Sequence, residues 1–172
     1  MKIKKTKKYK GKNIDIALYE TKLNGTRISQ EIVEQGNAVA VLAIDDGYVI
    51  LVNEFRYPVG HVLEIPAGNV DKGETPLKCS KRELLEETGY KAKKIEHLIR
   101  FFPKLGYNTQ IIDCYVATEL EKISEPNLDE DEFITVKKIK FKKLLNMIKN
   151  GKISGSYTIC AALTYELKKV MN

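Results

Sequence analysis

Three glutamates, Glu83, Glu86 and Glu87, lie at positions i, i+3 and i+4 of a segment with helical spacing. At 3.6 residues per turn, their side chains fall within an arc of roughly 100°. Such like-charged neighbours destabilise a helix by roughly 0.2–0.5 kcal/mol per pair, and the adjacent Arg82 cannot neutralise all three. Carboxylate oxygens without histidine suit a hard divalent cation such as Mg²⁺ or Mn²⁺. Taken alone, the spacing also allows a solvated acidic face.

A glycine-containing loop and a capped helix must position these glutamates. The loop, residues 67–74, carries Gly68 and Gly73, and glycine allows the backbone to approach a metal-bound phosphate closely. Thr75 followed by Pro76 is typical of a helix start, and Gly89 is typical of a helix end. The side of the helix opposite the glutamates carries Leu77, Ser80, Leu84 and Thr88, and its leucines predict the buried face.

The rest of the chain predicts a mixed, largely antiparallel sheet with helices packed on it, an α+β fold. Asn24-Gly25 and Asp46-Gly47 are typical of tight hairpin turns. Alternating or β-branched runs predict the strands, at 14–20, 28–34, 37–44, 48–55, 62–65, 95–102, 110–118 and 133–140. Apolar residues at helical spacing predict two more helices, one from Phe141 to Ile148 and one after Ser156.

Composition and charge exclude several classes of protein. The 172 residues are enough for one domain with its own core. Three cysteines without a C-x-x-C pair argue against disulfides and zinc, and suit a reducing cytoplasm. The net charge is +6, but six lysines precede Lys12 in what we interpret as a solvated tail. The other basic residues are interleaved with acids, so we expect neither nucleic-acid binding nor, without a long apolar run, a membrane segment.

Residues Gly68 to Tyr90 resemble the box of the Nudix hydrolases, G-x5-E-x7-R-E-U-x-E-E-x-G-U, in which U is a bulky apolar residue. The matching positions are Gly68, Glu74, Arg82, Glu83, Leu84, Glu86, Glu87, Gly89 and Tyr90. The resemblance implies an α/β/α sandwich and a metal-dependent pyrophosphohydrolase. It also implies that Glu83, Glu86, Glu87 and the carbonyl of Ala67 bind the metal, and that Glu74 and Arg82 form a structural pair.

Segments outside the box resemble the ADP-ribose pyrophosphatase branch of this family. They are Glu54 to Pro58, Leu63 to Gly68 and Phe102 to Gln110. The resemblance implies that Arg56 contacts the diphosphate and that Glu64, Gly106 and Gln110 contribute to substrate binding. Two positions depart from the branch: Leu105 stands where it usually has proline, and Gln110 where it usually has glutamate. Because position 110 lacks the usual carboxylate, we expect a change in the number of metal ions bound or in the reaction rate.

An acidic segment, residues 128–134, resembles the loop that supplies a catalytic carboxylate in this branch. Glu130 or Glu132 is then the candidate base that orients or deprotonates the attacking water. A solvated acidic turn is the alternative for this segment.

The resemblance also divides the chain in two. Residues 1–36 form an N-terminal strand extension expected to pair two subunits into a homodimer, and residues 37–172 form the Nudix domain. The expected reaction is hydrolysis of ADP-ribose, or a related nucleoside diphosphate sugar, to AMP and ribose 5-phosphate. Alternatives are a Nudix hydrolase of another nucleotide and, from a different class, a Nudix module that senses a nucleotide without hydrolysing it.

Overall fold

The computed structural model describes residues 2–128 and 133–171, which form ten strands and three helices. The strands are β1 (Lys4–Lys10), β2 (Asp15–Leu23), β3 (Thr26–Glu34), β4 (Ala38–Asp45), β5 (Tyr48–Arg56), β6 (Gly60–Glu64), β7 (Ala67–Asn69), β8 (Tyr90–Phe101), β9 (Ile112–Lys122) and β10 (Ile134–Lys140). The helices are α1 (Pro76–Thr88), α2 (Phe141–Lys149) and α3 (Ser156–Met171). Within these residues, no helix combines the length and apolarity needed to cross a membrane.

The strands form two sheets. Strands β1, β2 and β3 make a separate antiparallel sheet at the N-terminus. In the larger sheet the order is β10-β5-β4-β9-β8, with β6 paired to β5 and β7 paired to β4. Strand β4 runs parallel to β9 and antiparallel to β5 and β7. The prediction of a mixed, largely antiparallel sheet is therefore confirmed.

Helices cover both faces of the larger sheet. On one face, Leu42 of β4 belongs to a core cluster with Leu144 of α2 and Ala161 of α3. On the other face, Val41 of β4 clusters with Leu84 of α1. Strand β4 is buried along almost its whole length because successive side chains point to opposite faces and both faces are covered. This arrangement is the predicted α/β/α sandwich.

Both predicted hairpin turns are present. Asn24 and Gly25 have φ values of 50° and 84°, and Asp46 and Gly47 have φ values of 48° and 72°. Two consecutive residues with positive φ match the twist of the strands they join, and asparagine, aspartate and glycine tolerate this conformation best. These short segments therefore fix the registers of β2 with β3 and of β4 with β5.

The prediction that the lysine-rich N-terminal segment is a solvated tail is wrong. The lysine-rich segment forms strand β1, which pairs with β2 at the edge of the small sheet. Lys5 contacts Glu34 at 2.6 Å and Lys7 contacts Asp15 at 2.5 Å, so neighbouring acids balance part of the positive charge. Lysine is common on edge strands because its charge discourages pairing with another chain. The same residues therefore serve as a strand while most of their side chains remain exposed.

Helix α1 has the predicted ends but not all of the predicted buried face. Thr75 caps the helix by accepting a hydrogen bond from the Lys78 amide, and Gly89 ends it in the left-handed conformation. Leu77, in the first turn, is 41% exposed, so its assignment to the core is wrong. The helix instead buries a row at i, i+4 spacing next to Ser80, Leu84 and Thr88. That row consists of Cys79, Glu83 and Glu87.

Candidate active site

The three glutamates of α1 do not form a solvated face. Glu83 and Glu87 are 8% and 3% exposed, while Glu86 is partly buried. Burial of a carboxylate costs free energy unless hydrogen bonds or opposite charges compensate for it. The amide of Ala67 compensates in part, because it donates a hydrogen bond of 3.2 Å to Oε2 of Glu87. Strand β7 thus holds one carboxylate of the helix directly.

Arg82 links the loop to the helix. Its Nε and Nη2 donate to the two carboxylate oxygens of Glu74 at 3.1 and 2.9 Å, a bidentate arrangement. Its Nη1 contacts Glu83 at 2.7 Å and Glu86 at 2.9 Å. The hydrogen bonds from Arg82 lower the pKa of Glu74 from 4.5 to about 2. The structural pair expected from the resemblance is therefore in contact, and the same arginine also touches two of the candidate metal ligands.

Gly68 makes room for the Glu83 carboxylate. A Cβ atom added to Gly68 would overlap the carboxyl group of Glu83, which lies directly against the glycine. The φ angle of Gly68 is not in the left-handed region, so the glycine is required here for space and not for backbone conformation. Any larger residue would displace a buried carboxylate.

Cys79 is a member of this cluster that the sequence did not single out. Its thiol donates to the carbonyl of Asn69 at 3.3 Å, and Nη2 of Arg82 lies 3.3 Å from the sulfur. Its sulfur also lies 3.9 Å from Oε1 of Glu83. Burial and the neighbouring Glu83 raise the pKa of the thiol to about 12, so the group stays protonated at neutral pH. The sequence signal that could have predicted this is that Cys79 precedes Glu83 by one helical turn.

The three glutamates of α1 and Arg82 line a cavity of about 470 Å³, which we call the carboxylate cavity. Its lining has five carboxylates and two guanidinium groups, a formal charge of −3. The lining residues are Glu54, Arg56, Ala67, Gly68, Asn69, Asp71, Arg82, Glu83, Glu86, Glu87 and Asn127. Among residues 2–128 and 133–171, no three acidic, histidine or cysteine side chains are gathered as a preformed metal site. The excess of oxygen ligands and negative charge nevertheless fits a hard divalent cation.

A second cavity, of about 430 Å³, adjoins the first; we call it the neutral cavity. It is lined by Gln35, Ala38, Arg56, Glu64, Ala67, Gly68, Asn69, Pro103, Gln110, Gly155, Ser156 and Tyr157. Arg56, Ala67, Gly68 and Asn69 line both cavities, so the two form one continuous groove. In the neutral cavity Arg56 and Glu64 are the charged lining groups, whereas amide, hydroxyl and phenol groups supply the remaining polar atoms.

Arg56 lies where the two cavities meet. Its Nη1 contacts Oε1 of Glu54 at 2.7 Å, and its Nε donates to Oε2 of Glu64 at 3.2 Å. Arg56 therefore takes part in two ion pairs. Because Arg56 also lines both cavities, the ion pairs and a role in binding an anion are compatible.

Gln110 belongs to the neutral cavity. It is 4% exposed, and its Oε1 accepts a hydrogen bond of 3.4 Å from the hydroxyl of Tyr157. Burial raises the pKa of this Tyr157 hydroxyl, which therefore stays protonated at neutral pH. Gln110 does not line the carboxylate cavity, so the structure separates this position from the three glutamates of α1.

Two candidate glycines lie outside the lining of both cavities, and two candidate glutamates lie outside the described residues. Gly106 lies in an exposed turn with φ 76°, outside the lining of both cavities, next to Leu105, which is 77% exposed. Glu130 and Glu132, the candidate bases, lie outside the described residues. Gly89 ends α1, where an added Cβ would overlap the carbonyl of Ser124.

Comparison of sequences finds a family and several relatives. The pattern of the NUDIX domain matches residues 34–158. An ADP-ribose pyrophosphatase of Bacillus subtilis is 37% identical over 173 residues, covering 98% of this chain and 94% of the relative. A methanol dehydrogenase activator of Bacillus methanolicus is 35% identical, with the same coverage. A GDP-mannose pyrophosphatase of Yersinia enterocolitica is 33% identical over 149 residues, covering 79% of this chain and 78% of the relative.

Comparison of structures gives a consistent result. The crystal structure of an ADP compounds hydrolase superposes with a TM-score of 0.83, covering 96% of this chain and 93% of that one. The identity is 20%, so this likeness supports the fold. The fold expected from the sequence is thereby confirmed.

Proposed function

The chain belongs to the NUDIX domain family and is a hydrolase of that family, and we propose that it cleaves the diphosphate bond of nucleoside diphosphate sugars. The observation that carries the proposal is the continuous groove. One half presents carboxylates for a divalent cation, the other presents neutral polar groups, and Arg56 lies between them. A nucleoside diphosphate sugar has the complementary order of parts, with an anionic diphosphate joined to hydroxylated sugars.

We propose that Glu83, Glu86, Glu87 and the carbonyl of Ala67 hold Mg²⁺, or alternatively Mn²⁺. All four supply oxygen, the ligand that both ions prefer. The cavity that they line has a formal charge of −3, most of which a divalent cation would offset. When bound, the cation neutralises charge on the diphosphate oxygens and activates the attacking water. Arg82 contacts one oxygen of Glu83 and one of Glu86, so the guanidinium would lie beside the bound ion.

The protein's own groups would then divide the remaining work. A guanidinium matches phosphate oxygens bidentately, so Arg56 binds and orients the diphosphate. The ion pair with Glu74 keeps Arg82 in place, and this fixes the loop relative to α1. A carboxylate of the acidic segment, Glu130 or Glu132, accepts the proton of the attacking water; this assignment rests on the family resemblance alone.

The neutral cavity would take a sugar of the substrate. Glu64 and Gln110 offer acceptors, and Gln110 and Tyr157 offer donors, which suits hydroxyl groups. A cavity of about 430 Å³ also lies within the usual range of small-molecule sites. Gly106 remains a candidate substrate contact on the strength of the resemblance.

Among nucleoside diphosphate sugars, we propose ADP-ribose as the substrate, with AMP and ribose 5-phosphate as products. Support comes from the Bacillus subtilis relative, an ADP-ribose pyrophosphatase with which this chain shares 37% of its residues over nearly its whole length. The second candidate is another nucleotide. Leu105, in the place of the branch's usual proline, favours that alternative, and the GDP-mannose pyrophosphatase relative names one such compound.

We also propose that the protein is a cytoplasmic homodimer, with residues 1–36 contributing to the subunit interface. The small N-terminal sheet leaves large apolar side chains exposed, among them Tyr9, Leu23 and Ile28. The three cysteines are free, as expected in a reducing compartment. Sedimentation velocity of the full chain and of a variant with Ile28→Lys tests the dimer. A monomeric wild-type protein would contradict it.

A substrate panel tests the proposed function. The purified protein is stripped of metal with a chelator and incubated with ADP-ribose, GDP-mannose or a dinucleoside polyphosphate, with and without added Mg²⁺. We expect AMP and ribose 5-phosphate from ADP-ribose with Mg²⁺, and none without it. Cleavage of another member alone would retain the reaction class and reject ADP-ribose. Binding without cleavage of any member would favour a nucleotide sensor.

A further inference from the structure

Arg56 contacts the carboxylate of Glu64, which lies beside the start of α3. Glu64 ends β6 and accepts a hydrogen bond of 3.2 Å from Nε of Arg56 through its Oε2. The next residue, Ile65, donates its amide to the hydroxyl of Thr158 at 3.0 Å, and Thr158 lies in the first turn of α3. The end of β6 and the start of α3 are therefore tied together beside the groove.

Gly155 immediately precedes α3 and lies directly against the Glu64 carboxylate. A Cβ atom added to it would lie 2.8 Å from Oε1 and 3.5 Å from Cδ of Glu64. Its φ is not in the left-handed region, so its backbone conformation is open to other residues. A side chain at this position would instead press on the Glu64 carboxylate, which occupies the adjoining space.

An added methyl group at position 155 would reach Arg56 through Glu64. The carboxylate must move by a few tenths of an ångström to relieve a contact of 2.8 Å. The hydrogen bond from Arg56 to Glu64 is already 3.2 Å long, close to the outer end of the usual range for N–H···O bonds. The displacement would therefore weaken one of the two ion pairs that hold the guanidinium, and the pair with Glu54 would remain.

We propose that Gly155 is a positioning residue for substrate binding: it admits the Glu64 carboxylate, which holds Arg56 at the junction of the two cavities. The proposal rests on the proposed function, in which Arg56 binds the diphosphate. An arginine side chain has many rotamers, and holding it in place before the substrate arrives reduces the entropy lost on binding. The start of α3, 99 residues from Arg56 in sequence, thus sets the affinity for the diphosphate.

Gly155→Ala tests this role, with Gly36→Ala as the matched control. Neither glycine has a positive φ, but a Cβ at Gly36 would meet no atom within 4 Å. The thermal unfolding midpoint of both variants should stay close to that of the wild type, because the displaced atoms are the far end of a flexible side chain. For Gly155→Ala we expect KM for ADP-ribose to rise about 5- to 10-fold, while kcat changes less than about twofold and Gly36→Ala matches the wild type.

A double-mutant cycle distinguishes an effect of Gly155 through Glu64 on Arg56 from a general disturbance of the groove. In a Glu64→Ala background the methyl group has no carboxylate to displace, so Gly155→Ala should leave KM unchanged there. Binding of a non-hydrolysable methylene analogue of ADP-ribose, measured by calorimetry with Mg²⁺, should weaken by the same factor as KM rises. An unchanged KM in Gly155→Ala, or an effect that persists without the Glu64 carboxylate, would overturn the proposal. If the wild type neither cleaves nor binds ADP-ribose, that result rejects ADP-ribose as the substrate, and KM is then compared with the panel member that is cleaved. Cleavage of no member would reject the proposed function.

Discussion

The ion pair between Glu74 and Arg82 predicts a pH-dependent contribution to stability that Glu74→Gln should remove. Because the pKa of Glu74 falls from 4.5 to about 2 in the folded protein, the pair stabilises the fold fully above about pH 4.5. The contribution is lost as the pH falls through the window from 4.5 towards 2. A shift of this size corresponds to about 3 kcal/mol at full strength, and solvent screening of partly exposed side chains reduces this to about 1–2 kcal/mol.

Urea unfolding at pH 7, 5, 4 and 3 measures this contribution. We expect Glu74→Gln to lower the free energy of unfolding by about 1–2 kcal/mol at pH 5 to 7. The difference from the wild type should fall to less than half of that value at pH 3. Glu96→Gln is the control, because Glu96 is exposed on β8 and lies outside the groove. A difference that is absent at pH 7, or that stays constant from pH 5 to pH 3, would refute the reasoning.

Three further substitutions test other parts of the groove. Gly68→Ala should displace Glu83 and weaken Mn²⁺ binding, measured by electron paramagnetic resonance, by about tenfold or more. Gly36→Ala should leave Mn²⁺ binding unchanged. Equal Mn²⁺ affinities of Gly68→Ala and the wild type would contradict the assignment of Glu83 as a metal ligand. Arg56→Lys keeps the charge but loses the planar fork, so KM for ADP-ribose should rise about tenfold at nearly constant kcat; a lower kcat at unchanged KM would argue against ground-state binding. Gln110→Glu introduces a buried carboxyl group whose pKa is raised, so urea unfolding should show a loss of about 1–3 kcal/mol at pH 8 that diminishes towards pH 5; a loss independent of pH would contradict this.

The features that were predictable from the sequence depend on local chemistry. Asn24-Gly25 and Asp46-Gly47 formed the predicted hairpins, because the positive φ angles of such turns restrict the residues that can occupy them. Thr75 and Gly89 marked the ends of α1 for similar reasons. Strand β1 was missed because an exposed edge strand needs no apolar alternation. Strand β7 was missed because it has three residues and is defined by its pairing with β4.

In the site, fixed spacing predicted which residues meet along α1 and its loop, but not which of them are buried. A helical wheel gives the angles between side chains, but packing determines which side of the helix faces the sheet. Leu77 was therefore wrongly assigned to the core, and the burial of Glu83 and Glu87 was not foreseen. The contacts of Gly155 and Tyr157 with the groove depend on α3 packing beside the end of β6, a juxtaposition that no local pattern reveals.

We propose centrally that the carboxylates of α1 support hydrolysis of the diphosphate of ADP-ribose. Release of AMP from ADP-ribose with Mg²⁺, by the wild type and by Glu87→Gln, tests this most directly. Glu87 is buried against Ala67, and its amide analogue keeps the shape while removing the charge. We predict equimolar AMP and ribose 5-phosphate from the wild type. The rate of Glu87→Gln should be lower by a factor of at least about 100, and the rate of Glu96→Gln should equal that of the wild type. Undiminished AMP release by a folded Glu87→Gln, or none from the wild type, would contradict the claim.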